Sequence, residues 1–216
     1  MRPRRHRLDN DDVRVLLRVL IVAAVVVALI AVETSSRSGV LWRLTTFTYQ
    51  ANVLAAAYYS WTLYSGRADD RGGLRGAVVL YVVVAGILWN LLLTTYSMGY
   101  TTANILLHIV VPILAAVDWL IVGRSRVRWW QPLLWLVYPG LYVAVALLVL
   151  NRAGRRAPYY FLDPDSVGVT VVAANIGLLA LFVLVLGYGI SAVGAAPDRI
   201  SAGRSALDGV QVLRRR

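Results

Sequence analysis

The chain has 216 residues, of which 59% are hydrophobic, and its mean hydropathy is +0.65. This apolar content exceeds what a soluble domain of this length needs for its core, so the composition excludes an ordinary soluble protein and indicates lipid as the main solvent. The net charge is +11 and all 22 basic residues are arginines that flank apolar segments, which indicates anionic lipid headgroups as partners and not nucleic acid.

The chain begins with residues 1–12, a charged segment without an apolar face, which we predict to be a basic tail. Six apolar segments follow, and each is long enough to cross a bilayer as a helix. They cover residues 13–32, 41–64, 74–95, 104–122, 129–150 and 167–190. Arg14 and Arg18, near the start of the first segment, are expected to reach back to the interface. A cleaved signal peptide is the alternative for that segment, but VETSS at its end is a poor cleavage site.

Two further features of the chain order are informative. Pro139 predicts a kink in the fifth span, because proline cannot donate a helical hydrogen bond. The link before the sixth span carries Pro158, Tyr159, Tyr160 and Phe161, which would serve either as a lid or as interfacial anchors. Residues 191–216 have the glycine, serine, proline and arginine content of a flexible tail.

The arginines give an orientation. Seventeen lie in the tails, loops and span ends of one side and five lie on the other. Arginine accumulates on the cytoplasmic side of membrane proteins, so both termini are predicted to be cytoplasmic. The fold class is therefore an all-α bundle of six transmembrane helices in the plasma membrane, with a membrane domain at 13–190 between two tails.

Polar side chains recur inside the spans at one depth. With about 1.5 Å per residue, Thr48 and His108 both lie roughly 10 Å from the outer ends of their helices. The same slab contains Asn52, Asn90, Asn104 and Asn175. Unsatisfied polar groups are costly in hydrocarbon, so we expect a shared interior cluster. Such a cluster either joins helices by hydrogen bonds or forms a functional site.

His108 is the one histidine inside a predicted span, and a titratable group at that depth is a functional-site hypothesis by default. Desolvation disfavours an imidazolium, so a neutral His108 that accepts a proton is expected. A neutral imidazole beside the Thr48 hydroxyl is the minimum set for activating an alcohol nucleophile. The four asparagines are then candidate substrate-binding residues, whose amide N–H groups could stabilise an oxyanion.

Other chemistries fit less well. The chain has no cysteine, and haem held by two histidines would need a second intramembrane histidine. His108 and Asp118 are about 15 Å apart along one helix, too far to share a metal, so no metal or cofactor is predicted. Asp118 is expected to pair with an arginine such as Arg124 at the inner boundary. A transporter is disfavoured because no carboxylate lies near the midplane.

Four segments carry a family resemblance. FTYQANVL from Phe47, LHIVVPILAAVDW from Leu107, WLVYPGLY from Trp135 and APYYFLD from Ala157 resemble the bacterial six-span Pr6Pr family of membrane proteins. That resemblance covers about residues 13–190 and implies the six-span fold without an activity.

The second and fourth spans are also similar to the androgen-induced FAR-17a-like proteins of eukaryotes. Those are multi-span threonine hydrolases that cleave fatty-acid esters of hydroxy fatty acids with an intramembrane threonine and histidine. This resemblance implies Thr48 as nucleophile and His108 as base, with Thr45 and Thr46 as competitors for the first role. The histidine-proline spacing of HIVVP is similar, but AAVDWLIVGR replaces the basic, histidine-rich segment that follows it there.

Two hypotheses of function follow. The first is an intramembrane threonine hydrolase acting on a lipid ester whose acyl chain arrives from the outer leaflet. The alternative is a non-enzymatic membrane component that binds a lipid or small molecule, with a transporter third. Substrate identity and oligomeric state do not follow from the sequence.

Overall fold

The computed structural model of the protein describes residues 10–35, 39–65, 71–97, 99–122, 127–150 and 159–214, and every regular element in these ranges is helical. The helices are α1 (Asn10–Ser35), α2 (Gly39–Arg43), α3 (Phe47–Tyr64), α4 (Gly72–Leu88), α5 (Thr102–Ile105), α6 (Val111–Val122), α7 (Gln131–Leu134), α8 (Val137–Val145), α9 (Pro164–Val167) and α10 (Val169–Arg214). Wider π-helical turns extend α4 over Trp89–Leu93, join α5 to α6 over Leu106–Val110 and extend α8 over Ala146–Leu150.

Five helical segments of the described ranges are long and apolar enough to cross a membrane. They are Asp12–Ser35, Gly72–Leu93, Thr102–Ile121, Gln131–Val149 and Val169–Ala195. Each coincides with one of the predicted spans to within a few residues, and the all-helical class is confirmed. The remaining predicted span corresponds to α3, which is less apolar because it contains Thr48, Gln50 and Asn52.

Side-chain contacts define two ends of the helix bundle. At one end Arg18 near the start of α1 and Arg75 near the start of α4 meet Asp118 near the end of α6. At the opposite end, the Tyr142 hydroxyl near the end of α8 donates to the Thr45 carbonyl just before α3. Helix α3 begins at this second end, and its Tyr59 lies close enough to Asp118 at the first end to interact with it electrostatically. Helix α3 therefore runs through the bundle like its neighbours.

The centre of the bundle consists of α1, α3, α4 and α6. Helix α1 packs against α3 and α6, and so does α4. Ala24 and Ala28 of α1 are buried there, and small side chains at four-residue spacing allow close helix contact. The later helices α7 and α10 pack on this centre from outside. The face of the bundle formed by α8 and α10 is lined with exposed leucine and valine, as expected for contact with lipid.

The kink predicted at Pro139 takes the form of an interruption at Trp135 and Leu136, between α7 and α8. Pro139 has no N–H to donate to the Trp135 carbonyl one turn earlier. That carbonyl accepts a hydrogen bond of 3.1 Å from the Tyr81 hydroxyl of α4. A neighbouring helix thus satisfies the backbone group that the proline leaves free.

Asp118 pairs with arginines, as expected, whereas the expectation that Arg18 reaches the interface was wrong. Asp118 is fully buried and pairs with Arg75, whose Nη2 lies 2.7 Å from Oδ2, and with Arg18, whose Nε lies 3.5 Å from Oδ1. Arg124, the expected partner, lies outside the described residues. Arg18 does not reach the interface, because it is 2% exposed and turned toward Asp118. A buried carboxylate needs opposite charges within a few ångströms, and the packing of α1 and α4 on α6 supplies them.

The two predicted tails compare differently with the structure. Most of segment 1–12 lies outside the described residues, and α1 begins at Asn10. At the other end α10 continues to Arg214, so the described part of segment 191–216 is helical, and the flexibility of this tail stays a prediction. Alanine, leucine and arginine in this segment favour helix.

Candidate functional site

His108 lies in a π-helical turn that has an identifiable cause. In Leu106–Val110 the Val111 N–H bonds to the Leu106 carbonyl, five residues back, instead of to Leu107. Pro112, one residue further on, has no N–H to give to the His108 carbonyl. Two adjacent carbonyls, those of Leu107 and His108, therefore lack their usual helical donors. Single π turns of this kind occur often at functional sites.

Two asparagines supply donors to these carbonyls. Asn52 Nδ2 on α3 lies 3.3 Å from the Leu107 oxygen and 2.9 Å from that of Thr48. Asn90 Nδ2 lies 3.4 Å from the His108 oxygen and 2.8 Å from that of Gly86. Each asparagine thereby joins its own helix to the turn that carries the histidine. Their amide N–H groups are engaged by the backbone.

A glycine allows α4 to approach this turn closely. An added Cβ at Gly86 would lie 2.7 Å from the His108 carbonyl oxygen and 2.9 Å from Pro112 Cγ, distances that real Cβ atoms do not adopt. The absence of a side chain at residue 86 therefore lets Trp89 and Asn90 reach His108 from the next turn of the same helix.

The imidazole of His108 is buried, at 6% exposure, and it stacks on the Trp89 ring with 4.6 Å between centroids and an interplanar angle of 8°. Trp89 is fixed in turn because its Nε1 donates to the Ser97 hydroxyl at 2.8 Å. Among the described residues, Nδ1 of His108 has no hydrogen-bond partner. The ring is thus oriented by packing and by a hydrogen bond to the Ala85 backbone, and within the described residues its Nδ1 is left without a protein partner.

His108 and Thr48 line the same cavity, of about 480 Å³, which we call the polar cavity. It lies between the start of α3, the π-helical end of α4, the α5 region and the segment before α9. Its wall combines a cation, a carboxylate, amide and hydroxyl groups and several aromatic rings, including Arg43, Ser97, Asn104, Tyr159, Asp163 and Ser166. Asp163 caps α9, accepting from the Ser166 hydroxyl at 2.6 Å and the Asp165 N–H at 3.1 Å.

A second cavity, of about 260 Å³, adjoins the first, and we call it the apolar cavity. Its walls are formed by apolar side chains of α4, α8 and α10 and by Phe161 and Leu162. Thr48, Leu93 and Tyr159 line both cavities. The buried Thr48, at 5% exposure, therefore stands where a polar compartment meets an apolar one.

The Tyr159 side chain lies against the start of α3. Its hydroxyl is in hydrogen-bonding contact with the Thr48 side chain and with the backbone of Phe47 and Thr48, whose N–H groups belong to the first turn of α3 and have no helical acceptor. Burial raises the pKa of the Tyr159 phenol, and these hydrogen bonds oppose part of that rise. The structure thus gives Thr48 a tyrosine neighbour in addition to the shared cavity with His108.

The predicted site residues separate into two groups. Thr48, His108 and Asn104 line the polar cavity, while Asn52, Asn90 and Asn175 line neither cavity. Asn104 Nδ2 donates to the Gly99 carbonyl at 2.7 Å, and Asn175 Nδ2 donates to the Phe161 carbonyl at 2.8 Å. All four asparagines therefore place an amide N–H on a backbone carbonyl, and for Asn52 and Asn90 one such carbonyl belongs to a neighbouring helix.

Sequence reasoning did not select Arg43, Tyr159 or Asp163 as site residues, because each lies outside the slab of polar residues predicted about 10 Å from the outer helix ends. A signal was present in DPDS, in which Asp163, Pro164 and Ser166 form a helix N-cap that fixes the preceding aromatic segment. The aromatic residues 159–161 were considered as a lid or as interfacial anchors. They lie against the two cavities, with Tyr160 stacked 4.3 Å from Tyr96.

The site combines an alcohol, an imidazole whose Nδ1 has no partner among the described residues, N–H groups of the first turn of α3 and a tyrosine hydroxyl at the junction of a polar and an apolar cavity. These groups suit acyl transfer on a molecule with a polar and an apolar part. Comparison of the chain with protein-family profiles, with curated proteins and with solved structures found no match.

Proposed function

We propose that this protein is a plasma-membrane hydrolase of lipid esters, with Thr48 as nucleophile and His108 as general base. The observation that supports this most strongly is the position of Thr48 on the wall shared by the polar and apolar cavities. An ester bond is the point at which a lipid changes from apolar chain to polar head. A nucleophile at the junction of two such compartments would meet that bond.

The proposal includes six membrane spans with both termini in the cytoplasm. The 18 residues of α3 extend about 27 Å, close to the thickness of the hydrocarbon core. Its direction through the bundle and the arginine excess on one side support α3 as a membrane span, the second in chain order, which brings the total to six. Both cavities then lie in the outer half of the membrane, at the end opposite the Asp118 ion pairs.

In the proposed reaction the Thr48 hydroxyl attacks the ester carbonyl while His108 takes its proton. The tetrahedral intermediate collapses as the imidazolium returns that proton to the leaving alkoxide, which departs as the alcohol, and an acyl-threonine remains. Water then attacks this ester with His108 again as base. The carboxylic acid leaves and the Thr48 hydroxyl is restored.

The groups that would stabilise the oxyanion differ from the asparagines considered first, since those are engaged by backbone carbonyls. The N–H groups of Phe47 and Thr48 point from the first turn of α3, where the helix dipole favours negative charge. In the free protein they face the Tyr159 hydroxyl oxygen. We assign this position to the oxyanion and make Tyr159 a positioning residue for Thr48.

The test uses purified protein and fluorogenic lipid esters, with Thr62 as the matched control. Thr62 is also on α3 and has the same 5% exposure, but its hydroxyl bonds to the Tyr59 carbonyl and lines neither cavity. Thr48→Ala and His108→Gln are expected to lower kcat/KM by at least about 1000-fold, and Thr62→Ala to leave it within about twofold. An acyl adduct mapped to Thr48 by mass spectrometry would be the direct support. Equal turnover by all four proteins would contradict the proposal.

A second candidate is a membrane protein that binds a lipid without cleaving it. The observation in its favour is that, within the described part of the chain, His108 Nδ1 bonds to no orienting group, whereas hydrolytic triads hold their histidine with a third residue. On that view fluorophosphonate probes label nothing, and Thr48→Ala alters neither lipid binding nor any turnover.

A further inference from the structure

The apolar cavity lies in a cleft between α8 and α10. At one end of the cleft α7 packs against α10, and an added Cβ at Gly187 would lie 3.3 Å from Trp135 and 3.4 Å from Pro132. Along the cavity, α8 contributes Gly140 and Val143 to the lining and α10 contributes Ala180 and Val183. The cleft closes again at the other end, where Asn175 holds the Phe161 carbonyl and Tyr159 meets Thr48.

The side of this cleft is open toward the surrounding lipid. Gly140 on α8 lines the cavity and is exposed, and an added Cβ there would have no atom within 4 Å. The adjacent surface consists of exposed apolar side chains, with Leu141 at 61% and Leu181 at 58% exposure. A molecule in the bilayer therefore has lateral access to the cavity without crossing water or a polar surface.

The volume of the cavity limits its occupant. A protein cavity of about 150 Å³ holds one benzene molecule with its six carbons. By that ratio 260 Å³ accommodates about ten carbon atoms. A sterol or two acyl chains side by side would exceed this space, whereas part of one chain fits it.

We infer that the apolar cavity takes a single acyl chain from the bilayer, through the gap between α8 and α10, and holds roughly its first ten carbons counted from the carboxyl end. The occupant is identified by the adjacency of the two cavities, which share Thr48, Leu93 and Tyr159 in their linings. A molecule that fills both must be apolar over its length and polar at one end. Placing its ester at Thr48 rests on the function proposed above, whereas the binding of the chain does not.

Gly140 determines in this arrangement how much of the chain fits. It lies about one turn from Tyr142 and Val143, on the wall that the chain passes after leaving Thr48. A leucine there has space to be built and would occupy the path of the chain. Ala180 lines the same cavity from α10 and provides a second substitution from the opposite wall.

The experiment measures competition of saturated fatty acids, from butyrate to stearate, against tritiated decanoate on the full chain in nanodiscs. Gly140→Leu is compared with wild type and with Gly177→Leu, a position on α10 that also has no neighbour within 4 Å of an added Cβ but lines neither cavity. For each acid, the Kd of the variant is divided by the Kd of wild type. The partitioning of that acid into the membrane is the same in both measurements and cancels in the ratio. Ala180→Leu is measured in the same way.

For Gly140→Leu and Ala180→Leu we expect a ratio near one with butyrate that rises to at least about tenfold at decanoate and stays level for longer acids. Gly177→Leu should give a ratio near one throughout. A ratio independent of chain length, or the same profile for Gly177→Leu, would overturn the inference. If the protein binds decanoate as stated but cleaves no ester, the proposed function alone is refuted. If it cleaves esters and the cleavage is insensitive to residue 140, this inference alone is refuted.

Discussion

At the scale of single residues, His108 is positioned by the backbone and by packing more than by charge. A regular α-helix through Pro112 would leave the His108 carbonyl unsatisfied, and the π turn adds the Leu107 carbonyl to the deficit. Asn52 and Asn90 supply the two donors from neighbouring helices. An unsatisfied buried carbonyl costs about 1–3 kcal/mol, so these asparagines stabilise the turn that presents the imidazole.

Tyr159 gives a prediction about alkaline stability. Its pKa in the folded protein is raised by burial above the ordinary value of about 10, so above about pH 10 the unfolded chain releases this proton and the folded chain keeps it. Its contribution to stability is therefore present below that pH and is lost as the pH rises. Tyr159→Phe should lower stability by about 1 kcal/mol at neutral pH, and the difference from wild type should shrink toward about pH 11.

The measurement is thermal unfolding in detergent at a series of pH values. Tyr64→Phe is the control, since the Tyr64 side chain is 93% exposed. A difference between wild type and Tyr159→Phe that stays constant with pH would show that the phenol is not held neutral by the fold.

At the scale of helices, the site depends on the close approach of α4 to the α5–α6 region. Gly86 permits this approach, and the Trp89 ring then covers the His108 imidazole. The same principle operates where Tyr81 of α4 satisfies the carbonyl that Pro139 leaves free in the fifth predicted span. In both places a proline opens a helix and α4 supplies the missing contact.

Gly86→Ala tests the importance of this approach. The added methyl group would clash with the His108 carbonyl and with Pro112, and separating the helices would weaken the Asn90 hydrogen bond as well. We expect a loss of about 1–3 kcal/mol in stability, measured by thermal unfolding in detergent.

Gly177→Ala is the matched control for that substitution, because an added Cβ at residue 177 meets nothing and alanine favours helix over glycine. It should leave stability unchanged or raise it slightly. Equal effects of the two substitutions would mean that residue 86 does not limit the distance between the helices.

At the scale of the whole molecule, the two ends of the bundle differ in character. One end buries Asp118 between Arg75 and Arg18, with the Arg75 guanidinium 5.4 Å from the centre of the Trp119 ring. The other end contains the cavities. The ion pairs fix α1, α4 and α6 relative to one another, because separating them would leave charges unpaired in a buried environment.

The proposed topology is tested by cysteine accessibility, for which the chain is already suited because it contains no cysteine. Single cysteines replace Ser35 at the end of α1, Ser65 at the end of α3 and Ser166 in α9. A membrane-impermeant maleimide added to intact cells should label residues 35 and 166, and label residue 65 only after the membrane is opened. Labelling of residue 65 from outside would contradict the proposal that α3 spans the membrane.

Much of the architecture was predictable from the sequence because it depends on properties of each segment alone. Whether a stretch of 20 residues prefers lipid follows from its own composition, and the five long apolar helices appeared where hydropathy indicated them. The position of His108 among apolar neighbours likewise identified it as the residue to examine. Its placement at the depth of Thr48 also followed from the sequence, since the two residues lie equally far along helices that run in the same direction.

Only the tertiary structure decided which side chains meet. Depth along a helix does not give rotation about its axis, so the sequence did not distinguish Arg75 and Arg18 from Arg124 as partners of Asp118. For the same reason it did not show that, of the four asparagines, Asn104 lines a cavity. Nor did it indicate that a cavity lies between α8 and α10, because a cavity is formed by a pair of helix surfaces and not by either sequence segment alone. Contact with Tyr159 and the junction of two cavities at Thr48 arise from that three-dimensional arrangement.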